Sequence, residues 1–185
     1  VHIAEAARSF GAEVPFLRPV ELAQDDSPEW LAWQHLIREL NRESPQRQVD
    51  VLLSIPTTSP LRLAEDVEAC LSVLLGSDAD AAIAVTPTNR NPYFNMVSLD
   101  DNGYARVLVE PSRPVTRRQD APPVFDMTTV AYAVRADFVL RSKSLFEGKV
   151  KASIVPTQRA LDIDTELDFK LAEFLLSFSG AAKNS

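Results

Sequence analysis

Val49-Asp50-Val51-Leu52-Leu53-Ser54-Ile55-Pro56-Thr57-Thr58-Ser59-Pro60-Leu61-Arg62 decides how this 185-residue chain is read. Val49 to Ile55 is an apolar run of strand length, and Pro56 ends it. Such runs read as buried strands of a parallel sheet, covered on both faces. Pro56 to Arg62 is then a loop at the strand's carboxyl end. Glu65 to Leu75 follows as a helix, with Val67, Cys70, Leu71 and Leu74 on one face. Ala81 to Val85 is a second buried strand. The order strand, loop, helix, strand predicts an α/β fold, a three-layer sandwich around a mostly parallel sheet. Ligands bind at the carboxyl ends of strands in such sheets, so the loop carrying Ser59 and Arg62 is a candidate site.

Upstream, Ile3, Ala6, Ala7 and Phe10 have helical spacing, and Gly11 stops that helix. No capping residue precedes Ile3 and Val1 is not an initiator Met, so a further N-terminal part is expected. Ala12 to Leu17 is a short strand or an extended link. Ser27-Pro28 opens the next helix as N-cap and N1, with Trp30, Trp33, Leu36, Ile37 and Leu40 as its apolar stripe. Both Trp residues read as packing rather than as a stacking platform.

Downstream, Met96 to Leu99 and Tyr104 to Val109 flank Asp100-Asp101-Asn102-Gly103, a hairpin signal. Glu110 to Pro123 is rich in Pro and Arg and too polar for core. A loop of that length is usually functional or interface-forming. Val124 to Val134 returns to a strand, Ala136 to Leu140 is a short helix, and Ala152 to Val155 is a strand. The last helix carries Leu167, Leu171, Phe174, Leu175 and Phe178 on one face, and Ser179 to Ser185 reads as a frayed tail. Residues 1–185 form a single domain, with 91–123 as an excursion.

Composition narrows the function. Hydrophobic residues are 45% and charged residues 24%, ordinary for a globular domain. The net charge of −7 argues against nucleic acid and anionic membrane as partners. It leaves room for an anionic small substrate, because local Arg residues or a metal invert the field. Cys70 is the single cysteine, which excludes an intrachain disulfide and fits a reducing, cytoplasmic setting. No signal peptide or membrane-length apolar run is visible.

Asp162-Ile163-Asp164-Thr165-Glu166-Leu167-Asp168 is the acidic stretch before the last helix. In extended backbone, Asp162 and Asp164 share one face and suit one hard cation such as Mg²⁺. Thr165 and Asp168 have the spacing of a reciprocal cap. Acidic residues before a helix also serve as dipole partners alone, so spacing leaves both readings open.

Taken together, these segments resemble the acylneuraminate cytidylyltransferases. Gly11 to Pro19, Thr58 to Arg62, Asn91 to Met96, Arg117 to Asp120 and Asp162 to Asp168 match the family's motifs in order, from Ile3 to about Leu176. The resemblance implies a nucleotide-diphospho-sugar transferase-like fold with a β-hairpin excursion. It also implies that CTP and a sialic-acid-like nonulosonic acid give CMP-sugar and pyrophosphate. Asp162 and Asp164 would be catalytic as ligands of Mg²⁺ or another divalent cation. Arg118, or its neighbour Arg117, would meet the sugar carboxylate; Tyr132 and Phe146 would line the sugar pocket; Ser59 and Arg62 would frame the substrates. The excursion would be a homodimerisation arm. Pro56-Thr57 and Thr128-Thr129 depart from the family's usual Gln-Pro and Asn-Gly and resemble variants for legionaminic-type sugars. The family's glycine-rich phosphate loop has no counterpart in these 185 residues, so this chain alone is expected to be a poor enzyme. The alternatives are a Kdo-type sugar nucleotidyltransferase and a non-catalytic oligomerising fragment.

Overall fold

The computed structural model describes residues 2–111, 113 and 115–181. Helix α1 (His2–Ser9) stops at Gly11, whose φ of +87° lets the Gly11 and Ala12 N–H groups close on the Arg8 and Ala7 carbonyls. Its apolar side is open: Ile3 and Phe10 are exposed. Ala12 to Leu17 is an extended link, not a strand. Helix α2 (Glu29–Glu43) starts after Pro28, one residue later than the Ser27 cap predicts. The Ser27 hydroxyl instead folds back onto the Glu21 carbonyl, at 3.0 Å.

The body follows as β1 (Val51–Ser54), α3 (Ala64–Leu75), β2 (Ala81–Pro87), the hairpin β3 (Val97–Leu99) and β4 (Ala105–Val107), β5 (Phe125–Arg135), α4 (Ala136–Arg141), β6 (Val150–Ile154) and α5 (Glu166–Ala181). The main sheet has the order β1-β5-β2-β6. β1, β2 and β6 run the same way, and β5 runs against them between β1 and β2. The run at Val49–Ile55 therefore pairs antiparallel, not parallel, and β1 is an edge strand among the described residues. Apolar character on both faces requires cover on both faces, and the helices supply it whatever the direction of the neighbour.

The two faces hold separate cores. Trp30, Trp33 and Ile37 of α2 and Phe138 and Val139 of α4 pack on Ile83, Tyr132 and Val134. Cys70 and Leu74 of α3 pack on the other face, against Ala82, Ala84, Ala131 and Val155. Small residues on that face let α3 approach the sheet closely. Burial pushes the Cys70 thiol up to about 11, so it is a core residue and not a nucleophile.

Two features shape the carboxyl end of the sheet. Ile83 pairs with Tyr132 but Val85 pairs with Met127, so Thr128 to Ala131 bulge opposite Ala84. Bulges re-aim side chains and are common beside active sites. The β3–β4 hairpin turns as expected: Asp100 accepts the Asn102 and Tyr104 N–H groups, and Gly103 takes φ +84°. Both of its strands are exposed, and so is Tyr104 just before β4.

Helix α5 departs from expectation. It continues through Ala181, with the rest of the tail outside the described residues. Its apolar stripe is largely open: Leu167, Leu171, Phe174 and Phe178 are exposed, while Leu175 is half-buried and Ala172 is buried. No helix of the described residues is long and apolar enough to cross a membrane.

Candidate active site

Three segments meet where β1, β2 and β6 end and β5 begins: the loop 56–62, the β5 bulge, and the chain from β6 to α5. Each is anchored by chemistry that the sequence contains. Asp66, 3% exposed, sits in the first turn of α3. One carboxylate oxygen accepts the Leu63 N–H at 2.9 Å, and the other takes the Arg159 guanidinium at 2.7 and 3.1 Å. The same residue thus starts α3 and ties down the turn after β6. Further on, the Ile163 N–H donates to the Thr58 carbonyl at 2.9 Å, stitching the acidic turn to the loop 56–62. The Ser59 and Thr129 hydroxyls lie 2.6 Å apart, stitching that loop to the bulge.

Asp162 and Asp164 differ in setting. Asp162 Oδ1 is buried with no hydrogen-bond partner among the described residues, while Asp164 is exposed. A buried carboxylate oxygen without a donor is costly unless a cation meets it. The described residues hold no cluster of three or more metal-ligating side chains. A pair of carboxylates with one unpaired oxygen fits a hard cation whose other ligands are water and substrate phosphates. The capping pattern is present beside it. Asp168 Oδ2 accepts the Thr165 N–H at 2.8 Å, and the Thr165 hydroxyl takes the Asp168 N–H at 3.3 Å. Cap and carboxylate pair therefore coexist, on different residues.

Arg62 lies close enough to Asp162 for the two charges to interact. Its guanidinium donates to the Ser59 carbonyl at 2.8 Å and to the Pro56 carbonyl, so it braces its own loop. Burial lowers its pKa and the Asp162 charge opposes that fall. Ser59 is fully buried and its hydroxyl is committed to Thr129, so it holds the loop in shape and does not face an open site. Tyr132 is buried against Trp33, level with Ser54 and Ile83, and forms the floor behind the site. Burial raises its pKa, helped by the Glu29 and Asp162 charges.

Arg117 and Arg118 stand further out. Arg118 donates to the Thr88 carbonyl at 3.0 Å, which brings it to the end of β2, and Arg117 pairs with Asp120 at 3.5 Å. Phe146 is not brought to this end. It precedes β6, whose Val150 pairs with Ala81 at the start of β2, so the length of the sheet separates Phe146 from Asp162. Sequence reasoning singled out Thr128 but missed the other residues that line the space around Asp162, chiefly Thr86, Asp126, Thr157 and Gln158. Asp126, an acidic residue between Phe125 and Met127 at a strand start, was the signal available.

The Asp168 cap carries a pH signature. The Thr165 hydroxyl and N–H hold its carboxyl below the ordinary aspartate value. A depressed carboxylate stabilises the fold above its unfolded pKa, and that contribution is lost as pH falls from the ordinary aspartate range through the lower folded value. A carbon-detected NMR titration of wild type should show Asp168 titrating below free aspartate, with Thr165→Ala returning it upward. An Asp168 midpoint unchanged by Thr165→Ala would contradict the cap.

No protein-family model matches the chain. The post-translational flagellin modification protein B of Campylobacter coli is 32% identical over 174 residues, which are 94% of this chain and 72% of that protein. The CMP-N,N'-diacetyllegionaminic acid synthase of Campylobacter jejuni is 31% identical over 175 residues, 95% of this chain and 73% of that one. Among solved structures, a CMP:2-keto-3-deoxy-manno-octonic acid synthetase complexed with CTP superposes with a TM-score of 0.65, over 96% of this chain and 78% of that one. At 13% identity that likeness concerns the fold alone: α/β layers around a mixed, mostly unidirectional sheet. With relatives of this identity and coverage, the chain belongs to the acylneuraminate cytidylyltransferase family, the CMP-nonulosonic acid synthases.

Proposed function

We propose that this protein activates a sialic-acid-like nonulosonic acid, of the legionaminic type, with CTP. The anomeric hydroxyl attacks the α-phosphorus, pyrophosphate leaves, and the hydroxyl proton passes to solvent or base. The single observation that carries the reading is the unpaired, buried Asp162 oxygen in a turn stitched to the substrate loop. Phosphoryl chemistry of this kind is mostly positioning and charge neutralisation. Mg²⁺ or a similar cation held by Asp162 and Asp164 supplies the neutralisation. Arg62 keeps the loop rigid beside it, and Arg118 or Arg117 offers a guanidinium fork to the sugar carboxylate. The legionaminic-type acceptor follows the Thr128-Thr129 bulge and the similarity to the Campylobacter jejuni synthase. Use of CTP and a reduced Cys70 suit the cytoplasm.

The test is CMP-sugar formation by the full-length gene product. Asp164→Asn should lower turnover by about a hundredfold, on the order of 3 kcal/mol of barrier, without loss of fold. Near-normal turnover at saturating Mg²⁺ would remove Asp164 from the metal site.

The arm at 91–123 is proposed to pair two subunits. Its hairpin exposes Val97, Leu99 and Tyr104, and two-stranded hairpins are seldom stable alone. Asn91 braces its base through the Pro122 carbonyl at 2.9 Å, while Ser112 and Pro114 lie outside the described residues. A two-fold contact would carry Arg118 toward the neighbouring site. Light scattering at tens of micromolar should report a dimer that Leu99→Asp with Tyr104→Asp dissociates. A wild-type monomer at that concentration would remove the arm's role.

A further inference from the structure

The chain runs from β6 to α5 over residues 155–165, and one buried charge pair fixes the middle of that connection. Arg159 ends a single 3₁₀ turn, Thr157–Arg159, three residues before Asp162. Its Nε and Nη2 both donate to one oxygen of Asp66, at 3.1 and 2.7 Å. The other Asp66 oxygen accepts the Leu63 N–H at 2.9 Å, so the carboxylate faces both segments at once. Leu63 directly follows Arg62, whose guanidinium braces the loop 56–62. One carboxylate thereby sets how the loop stands against the acidic turn. The remaining guanidinium nitrogen, Nη1, meets Glu65 at 2.9 Å on the solvent side, where Glu65 is mostly exposed.

Asp162 Oδ1 is buried with no hydrogen-bond partner among the described residues, which costs free energy until a cation meets it. Lifting the turn off the loop 56–62 would relieve that cost by returning the carboxylate to water. Two contacts oppose the lift: the Ile163 N–H on the Thr58 carbonyl, and Arg159 on Asp66. The first is a single neutral hydrogen bond. The second is charge-assisted, has two donors and is buried, so it is the stronger restraint. We infer that the Asp66–Arg159 pair holds Asp162 in its desolvated, unpaired state and so sets the affinity of the acidic turn for a divalent cation. Both are positioning residues, acting through Asp162. Their opposite charges leave the net field at the turn little changed, so the effect runs through geometry: a ligand already in place loses less freedom when the metal arrives.

This inference rests on the proposed cation at Asp162 and Asp164 and deepens it. The test titrates the full-length gene product with Mn²⁺, reading free metal by its EPR signal, with Asp162→Asn as the reference for loss of the site. Arg159→Met should weaken Mn²⁺ binding about tenfold or more, the usual effect of removing a partner behind a metal ligand. Arg159→Lys keeps the charge without the fork and should fall between Arg159→Met and wild type. Glu65→Gln removes only the exposed contact and should bind Mn²⁺ within about twofold of wild type. In CMP transfer, Arg159→Met should raise the Mg²⁺ concentration for half-maximal rate by the same factor as the Mn²⁺ loss, and keep the saturated rate within about threefold. A merely structural role would lower the rate at every Mg²⁺ level and leave the half-maximal concentration in place. Thermal melts keep the assay below the transition of each variant, and where Arg159→Met fails to fold, Arg159→Lys decides the same question. Wild-type Mn²⁺ affinity in folded Arg159→Met or Arg159→Lys would overturn the positioning role. A wild type that binds Mn²⁺ no better than Asp162→Asn would remove the cation site and this inference with it. A wild type that binds Mn²⁺ through Asp162 yet forms no CMP-sugar would overturn the proposed reaction and leave the role of the pair standing.

Discussion

The Asp66 carboxylate is the constraint on which the site depends. It starts α3 by taking the Leu63 N–H, and it fixes the turn after β6 by taking Arg159. A buried carboxylate needs both its hydrogen bonds and a cationic partner to remain charged inside a protein. Here meeting that need joins two elements distant in sequence. The backbone bond from Ile163 to Thr58 then holds the acidic turn against the substrate loop. That bond alone is worth about 1 kcal/mol, too little to order the eleven-residue connection between β6 and α5 against its entropy. With Arg159 already fixed, little of that entropy remains to be paid at Ile163.

The electrostatics follow from the same arrangement. A chain with net charge −7 must bind two anionic substrates, so its acidic site needs imported or local positive charge. Arg62 is spent on its own loop carbonyls, so under the proposed function the unpaired oxygen of Asp162 would fall to a cation and the sugar carboxylate to the arm's arginines. The bulge at Thr128–Ala131 completes the division. It turns Thr129 toward Ser59 and Thr128 toward the Ala84 carbonyl at 2.9 Å, so one hydroxyl secures the loop and the other secures the bulge itself.

The layers and most elements were legible in the sequence because helical spacing and apolar runs encode burial directly. The stripe on α2, the face of α3 and the turn at Asp100–Gly103 are examples. Strand direction was not legible: an apolar run reports cover on its faces, not the direction of its neighbour, so the antiparallel pairing of β1 was missed. The α5 stripe was read as one apolar face, and amphipathicity says only that such a face seeks a partner, not where the partner is. At the site, Asp162, Asp164, Arg62 and the Thr165–Asp168 cap stood out by spacing or motif. Ser59 and Tyr132 were placed at the right end of the sheet but face inward, since a motif match carries no information about exposure. Phe146 lay at the wrong end because resemblance fixed its order in the chain without its register. Asp126, Thr86 and Thr157 escaped notice because only the bulge and the turn after β6 bring them together.

The central claim is that this acidic turn holds a divalent cation at the carboxyl end of the sheet. Paramagnetic broadening by Mn²⁺ tests it on the protein itself, independently of turnover. The account predicts that substoichiometric Mn²⁺ selectively broadens the backbone amide signals of Asp162 to Thr165 and of the loop around Thr58, leaves those around Phe146 sharp, and loses its effect in Asp162→Asn. Uniform broadening, or broadening that persists unchanged in Asp162→Asn, would contradict it.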